Sequence, residues 1–291
     1  MAGIAKEIWI DALMEPFYAE ASFMDYFQDM TQFVEFNTIN LADAGVDPVV
    51  YVNNATWPIQ AVQRTDTPLA IPLDTLDTQT TLVRNIEQME SAYDKMESVL
   101  RGHRRSLLDT ALRRGAWAAS PNTDSPFTPI VSASGAVRAD NSRKKATWED
   151  VAALQTRLKL LNGPGVLVLV LHPLHAQDLR NEDRQFYKVM ADQTKGIIAN
   201  REGFIIMEYS NNAVYDGTNN KKAFGAAAAP STDRYSSFAF MQDEIAKADG
   251  TVEMFERLKD PDQRGDLVGF QKRFKALTIR GKFMGALVSG T

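Results

Sequence analysis

Residues 82–107 read LVRNIEQMESAYDKMESVLRGHRRSL. Leu82, Ile86, Met89, Tyr93, Met96, Leu100, His103 and Leu107 recur at alternating steps of four and three, which puts all eight on one stripe of an α-helix. Arg84, Glu87, Glu90, Asp94, Lys95, Glu97, Arg101 and Arg104 fall between them and form the solvated side. Thr80 or Thr81 is placed to cap the start by accepting from a free N–H of the first turn. Glu97 stands four residues before Arg101, the favourable order for a helical ion pair. At 1.5 Å per residue such a helix is roughly 39 Å long, against a usual globular length of about 11 residues. It is a strut whose apolar face needs a sheet or another subunit to cover it.

Upstream, residues 1–40 carry Trp9, Phe17, Tyr18, Phe23, Tyr26, Phe27, Phe33 and Phe36. Pro16 interrupts the helical steps of Ile8, Leu13 and Phe17, and Phe23, Phe27 and Met30 suit a second short helix. So many large apolar groups need a surface, in the chain's own core or on a neighbour. In residues 43–80, Pro48, Pro58, Pro68 and Pro72 punctuate two short runs, Val49–Val52 and Leu69–Ile71. These read as the strands of a hairpin with a polar tip near Arg64 and Asp66. Tyr51, Trp57, Ile59 and Val62 give this segment too much apolar content for disorder.

Downstream of the strut, Arg101, Arg104, Arg105, Arg113 and Arg114 oppose Asp109 alone. Most of that cluster is explained by basic groups complementing a helix C-terminus; the alternative is a face toward a polyanion. After an irregular stretch with a short strand at Ile130-Val131, the rhythm becomes α/β. Thr147 caps a helix striped by Val151, Leu154, Leu158 and Leu161. Val166–Leu171 is a strand apolar enough to be buried on both faces, and Pro173 opens a helix at its first-turn position. Gly203–Tyr209 and Phe238–Phe240 read as strands, Asp243–Ala248 as a short helix, and Val252–Leu258, Leu267–Phe274 and Phe283–Val288 as strands. Residues 211–235 form a long loop without periodicity.

The 291 residues contain no cysteine, which excludes disulfides and thiolate metal sites. A net charge of -5 argues against a broad duplex-binding face. No apolar run is long enough to cross a bilayer, so no membrane partner is expected, and the N-terminus does not read as a signal peptide. Phosphate loops, nucleophile elbows and zinc helices are all missing. The chemistry that remains is His172, His175 and Asp178 after a buried strand, where steps of three share one helix face and can hold a metal. No third histidine or cysteine completes that set, and Pro173, Leu174 and Leu179 give the segment an ordinary packing role. The acid pairs Asp74/Asp77 and Asp260/Asp262 sit near prolines and suit turns. No catalytic residue, cofactor or metal is expected.

The order of parts, with Val168–Leu179, Gly203–Ile206, Phe238–Phe240, Asp243–Ala248 and Lys282–Val288, resembles the major capsid proteins of tailed bacteriophages, the HK97-like α+β fold. The resemblance implies an N-arm at 1–42, an extended β-hairpin loop at 43–80 and a peripheral domain with the spine helix at 81–146. An α/β axial domain at 147–265 and returning strands at 266–291 complete it. It implies a coat protein, not an enzyme, that forms hexamers and pentamers of an icosahedral shell around double-stranded DNA. Trp9, Phe17, Trp57, Arg64 and Asp66 would make contacts between subunits, and Arg101, Arg104, Arg105, Arg113 and Arg114 would face DNA bound without sequence specificity. Portal, scaffold and decoration proteins would be further partners, and the protein would be assembled in the host cytoplasm and reside in the virion. No lysine lies between Lys6 and Lys95, so the lysine cross-link of some members is not expected. The first 42 residues are too short and too aromatic for a scaffolding segment, so a separate scaffold or prior processing is expected. An encapsulin-like compartment is the near alternative, and a metal-dependent enzyme using His172, His175 and Asp178 the distant one.

Overall fold

The computed structural model describes residues 22–35, 37–43, 67–84, 95–138, 143–163, 165–183, 199–229 and 232–290, with residues 50, 52–55, 57–58 and 197. A 3-10 turn at Phe23–Tyr26 comes first, closed by Ser22 and Asp25 in a capping box. There follow strands β1 (Gln28–Asp29), β2 (Val34–Glu35), β3 (Thr38–Asp43), β4 (Thr67–Pro72), β5 (Asp74–Asp77) and β6 (Thr81–Arg84). Helix α1 (Lys95–Ala119) leads to β7 (Ile130–Ser132), α2 (Trp148–Lys159), β8 (Leu167–Leu171) and α3 (Pro173–Glu182). The chain ends with β9 (Ala199–Arg201), β10 (Phe204–Glu208), β11 (Ser236–Met241), β12 (Ile245–Asp260), β13 (Gly265–Thr278) and β14 (Met284–Val288).

One mixed sheet runs in the order β7-β14-β11-β8-β10-β9, with β8 parallel to β10 and β7 parallel to β14. All five residues of β8 are buried, because alternate side chains serve two cores. Leu167, Leu169 and Leu171 pack with Val151, Leu154 and Leu158 of α2. Val168 and Val170 join a second cluster with Phe23, Met24 and Phe27, Leu107 and Ala111 of α1, and Phe270 and Phe274 of β13. Thr147 caps α2 in a reciprocal box with Asp150.

The second sheet is built on the long β12–β13 hairpin, with β1 along β12 and with β5 and β6 along β13. Helix α1, at 25 residues about 37 Å long, lies against β13 and also touches β11. Gly115 lets the N-terminal turn sit on this helix, since a Cβ there would collide with the Met24 methyl. A small third sheet has the order β2-β3-β4. Its anchor is Ile39, fully buried with Met30, Leu73, Ala246 and Ala248.

Four expectations from sequence change. The strut does not start at Leu82: Thr81–Arg84 is β6, paired with Gly265–Val268, and Val83 is fully buried there. Cross-strand bonding and burial outweigh the helical spacing of Leu82, and no helix cap forms at Thr80 or Thr81. The helix also runs past Leu107 to Ala119. The partner of β4 is β3, not Val49–Val52, since Val50 and Val52 lie outside any strand and are exposed. Asp243–Ala248 is not a helix: Asp243 takes a left-handed φ of 66° in a tight turn, and Ile245 begins β12. In the N-terminal segment, Phe23, Met24 and Phe27 are buried in the chain's own core, in a 3-10 turn and not in a helix reaching Met30. Trp9, Phe17, Arg64 and Asp66 lie outside the described residues.

Candidate functional site

The histidine cluster sits where β8 passes into α3. His172 is the N-cap of α3: its Nδ1 accepts from the Leu174 N–H at 3.2 Å. Its ring stacks on Tyr235 at 4.8 Å, and the Arg143 guanidinium lies over Tyr235 at 4.4 Å. His175 is 1% exposed, with Nδ1 2.7 Å from Ser237 Oγ on β11 and Nε2 2.8 Å from Ser289 Oγ after β14. Burial, reinforced by His172 and Arg138, lowers the His175 pKa to about 3, so the ring is neutral. Burial also lowers His172 to about 4, with Arg138 and Arg143 adding to it. Asp178 accepts from Arg138 Nη1 at 2.7 Å and from the Ala146 N–H at 3.3 Å. Burial pushes its carboxyl up while Arg138 pulls it down.

Each member of this alternative metal set is therefore committed elsewhere. His175 ties two strands together, His172 starts a helix, and Asp178 holds the segment before α2. Among the described residues no group of three or more His, Asp or Glu side chains could hold a metal ion. The cluster is a structural knot whose main partners, Ser237, Ser289 and Arg138, carry no local sequence signal.

The five arginines do not form one patch. Arg101 and Arg114 are thirteen residues apart on α1, or about 20 Å. Arg113 pairs with Asp109 at 3.9 Å. Arg114 pairs with Asp74 at 3.7 Å and lies 4.1 Å over the Phe224 ring. Arg101 and Arg105 are exposed, and Arg104 is half-buried.

Asp74 and Asp77 lie on β5 and not in a loop, bonded to Lys275 and Gln271. Asp260 does shape a turn, accepting the N–H groups of Asp262 and Gln263.

The loop expected at 211–235 is bolted to the end of α1. Tyr215 is fully buried and donates to the Pro121 carbonyl at 2.6 Å. Lys221 Nζ donates to the Trp117 and Ser120 carbonyls at 2.9 and 2.6 Å, closing the helix C-terminus from outside. Burial lowers the Lys221 pKa to about 8. These anchors have no local sequence signal, because the loop is rich in Asn, Gly, Ala and Lys and shows no periodicity.

Among the described residues the most exposed large apolar side chains lie between β3 and β4. Trp57 is 74% exposed, and Val50 and Val52 are exposed as well. No described helix is long and apolar enough to cross a membrane.

No protein-family model matches this sequence, and no curated protein matches it. Solved structures do match it. A structure from Mycobacterium phage Che8 is 17% identical over 93% of this chain and 92% of that chain, with a TM-score of 0.63. The capsid of Ralstonia phage GP4 is 10% identical over 94% of this chain and 92% of that chain, with a TM-score of 0.65. The capsid of cyanophage P-SCSP1u is 14% identical over 93% of this chain and 88% of that chain, with a TM-score of 0.62. The chain has the fold of these phage capsid structures, the HK97-like fold, over 93% or more of its length.

Proposed function

We propose that this chain is the major capsid protein of a tailed phage, assembling with copies of itself into hexamers and pentamers of a closed shell around double-stranded DNA. The observation that carries this is the likeness to phage capsid structures across 93% or more of the chain. Two features of the molecule fit it. Between β3 and β4, Trp57, Val50 and Val52 are exposed, apolar surface that a lone subunit leaves in water. The histidine cluster, the best catalytic candidate in the sequence, spends its polar atoms on holding strands and helices together.

In this reading residues 1–42 are the N-arm and residues 43–80 the extended loop, whose paired base reaches back to Thr38. Residues 81–146 are the peripheral domain with its spine helix, 147–265 the axial domain, and 266–291 the returning strands. Trp9, Phe17, Trp57, Arg64 and Asp66 contact neighbouring subunits. Arg101 and Arg105, exposed on α1, face the packaged DNA, while Arg113 and Arg114 are engaged within the subunit. Portal, scaffold and decoration proteins are the remaining partners, and the product is a virion component assembled in the host cytoplasm. Velocity sedimentation of the protein expressed with its genomic neighbours tests this. Particles far larger than a subunit, containing DNA when packaging proteins are present, are expected. Particles that enclose protein cargo and never nucleic acid would favour a compartment shell.

A further inference from the structure

Asparagine or aspartate followed by glycine occurs at three places in the chain, Asn162-Gly163, Asp216-Gly217 and Asp249-Gly250. In such a pair the side-chain carbonyl carbon lies within reach of the next residue's backbone nitrogen, and glycine puts no side chain in the way. The fold treats the three differently. The Asp216 carboxylate accepts from the Thr218 N–H and hydroxyl, each at 2.8 Å, and from the Asn220 N–H at 2.9 Å. Asp249 is paired with Lys272 at 2.6 Å. Both carboxylates are held in place, and an ionised carboxylate is a poor electrophile.

Asn162 is not held. It is exposed, in the turn between α2 and β8. Its own backbone N–H donates to the Lys159 carbonyl at 3.0 Å. Among the described residues, neither its side-chain amide nor the Gly163 N–H has a hydrogen-bond partner. The electrophile is therefore neutral and open to water, and the nucleophile beside it is unengaged.

The same turn explains why these two residues stand there. Asn162 takes a left-handed φ of 52°, which asparagine and glycine adopt at lower cost than other residues. A Cβ on Gly163 would collide with the Met241 sulfur and the Phe283 ring. Packing thus selects a pair whose order is chemically labile.

We propose that Asn162 is a site of spontaneous modification, converting to aspartate and isoaspartate through a cyclic imide with Gly163. The Gly163 nitrogen gives up its proton and bonds to the side-chain carbonyl carbon of Asn162. The bond from that carbon to Nδ2 breaks, and Nδ2 leaves with the proton as ammonia. Water then opens the ring at either carbonyl. One opening gives aspartate. The other gives isoaspartate, in which the main chain runs through the side chain and is one carbon longer. Either product adds a negative charge to the turn, and the longer one moves Gly163 from its seat against Met241 and Phe283. The inference is independent of what the subunit builds.

Ageing of the purified full chain at mildly alkaline pH, beside a control kept unfolded in guanidinium chloride, tests it. Trypsin releases Leu160–Arg180, whose only asparagine is Asn162. The aged folded protein should yield this peptide as two isomers, each heavier by the difference between an oxygen and an NH group. The rate should lie within about tenfold of the unfolded control, a tenfold slowing being a turn that costs about 1.4 kcal/mol to open. Asn162→Gly keeps the left-handed turn and removes the amide, so its peptide should hold a constant mass. The isoaspartate fraction should melt at a lower temperature than fresh protein. An unchanged Leu160–Arg180 peptide from folded protein, after the unfolded control has converted, would overturn the proposal. Isoaspartate at Asp216 or Asp249 in equal yield would overturn the argument that an unheld side chain selects Asn162.

Discussion

Acidification should destabilise the subunit through His175, and the size of the effect follows from its burial. The ring is 1% exposed, bridges Ser237 and Ser289, and has its pKa lowered to about 3 from 6.5. Between those two values the unfolded chain binds a proton that the folded chain refuses, so stability rises with pH there and is lost as pH falls through 6.5. At pH 5 the unfolded ring lies 1.5 pH units below its pKa, so at 1.36 kcal/mol per unit His175 costs about 2 kcal/mol relative to pH 7.5. Carboxylates with ordinary unfolded values change little over this range, which leaves histidine as the main contributor. His175→Gln should be less stable at pH 7.5, having lost two bridges. Its further loss on going to pH 5 should be smaller than the wild type's by about 2 kcal/mol. Urea unfolding of unassembled subunits at both pH values reads this directly. Equal pH dependence in the two proteins would mean that the ring takes up a proton in the folded state and that the buried, neutral knot is wrong.

Tyr215→Phe removes the hydroxyl bonded to the Pro121 carbonyl and should cost about 1–3 kcal/mol, since a buried acceptor loses its partner; differential scanning calorimetry checks it. Two glycines of α1 should respond oppositely to alanine. Gly115→Ala meets the Met24 methyl and should cost about 1–3 kcal/mol by overpacking, whereas Gly102→Ala faces open space and should gain about 0.5–1 kcal/mol, both read by urea unfolding. Lys221→Met removes both bonds to the carbonyls at the end of α1 and should increase proteolysis within residues 211–229, measured by limited digestion. Elemental analysis of purified protein should find no stoichiometric metal, and His175→Ala should change stability without changing metal content.

Much of the fold was legible because local and tertiary preferences agree. The run from Leu167 to Leu171 cannot avoid burial on both faces, Thr147 with Asp150 writes a helix start, and Pro173 fixes another. Where they disagree, the sequence misleads. Leu82 continues a helical stripe by count, yet Thr81–Arg84 gains more by pairing with β13. Ala246 and Ala248 favour helix intrinsically, but small side chains are what the space beneath Met30, Ile39 and Leu73 admits in a strand. Thr38–Asp43 alternates only over Thr38, Ile39, Asn40 and Leu41, a run too short to identify it, and Ile39 is its buried anchor. The histidine cluster was found as a constellation, but its role was set by Ser237 and Ser289, 62 and 114 residues from His175. Of the proposed contact residues, Trp57 is an exposed side chain. A groove beside α1 draws on β5, β6 and α1, which no linear pattern brings together.

The central claim is that copies of this chain build a shell. Electron cryomicroscopy of particles purified after co-expression with the neighbouring genes tests it most directly. The account predicts closed icosahedral particles of hexamers and pentamers, with α1 and the β12–β13 hairpin recognisable in each subunit and the arm resting on the adjacent copy. A stable monomer or dimer under every condition, with no shells, tubes or capsomer rings, would contradict it.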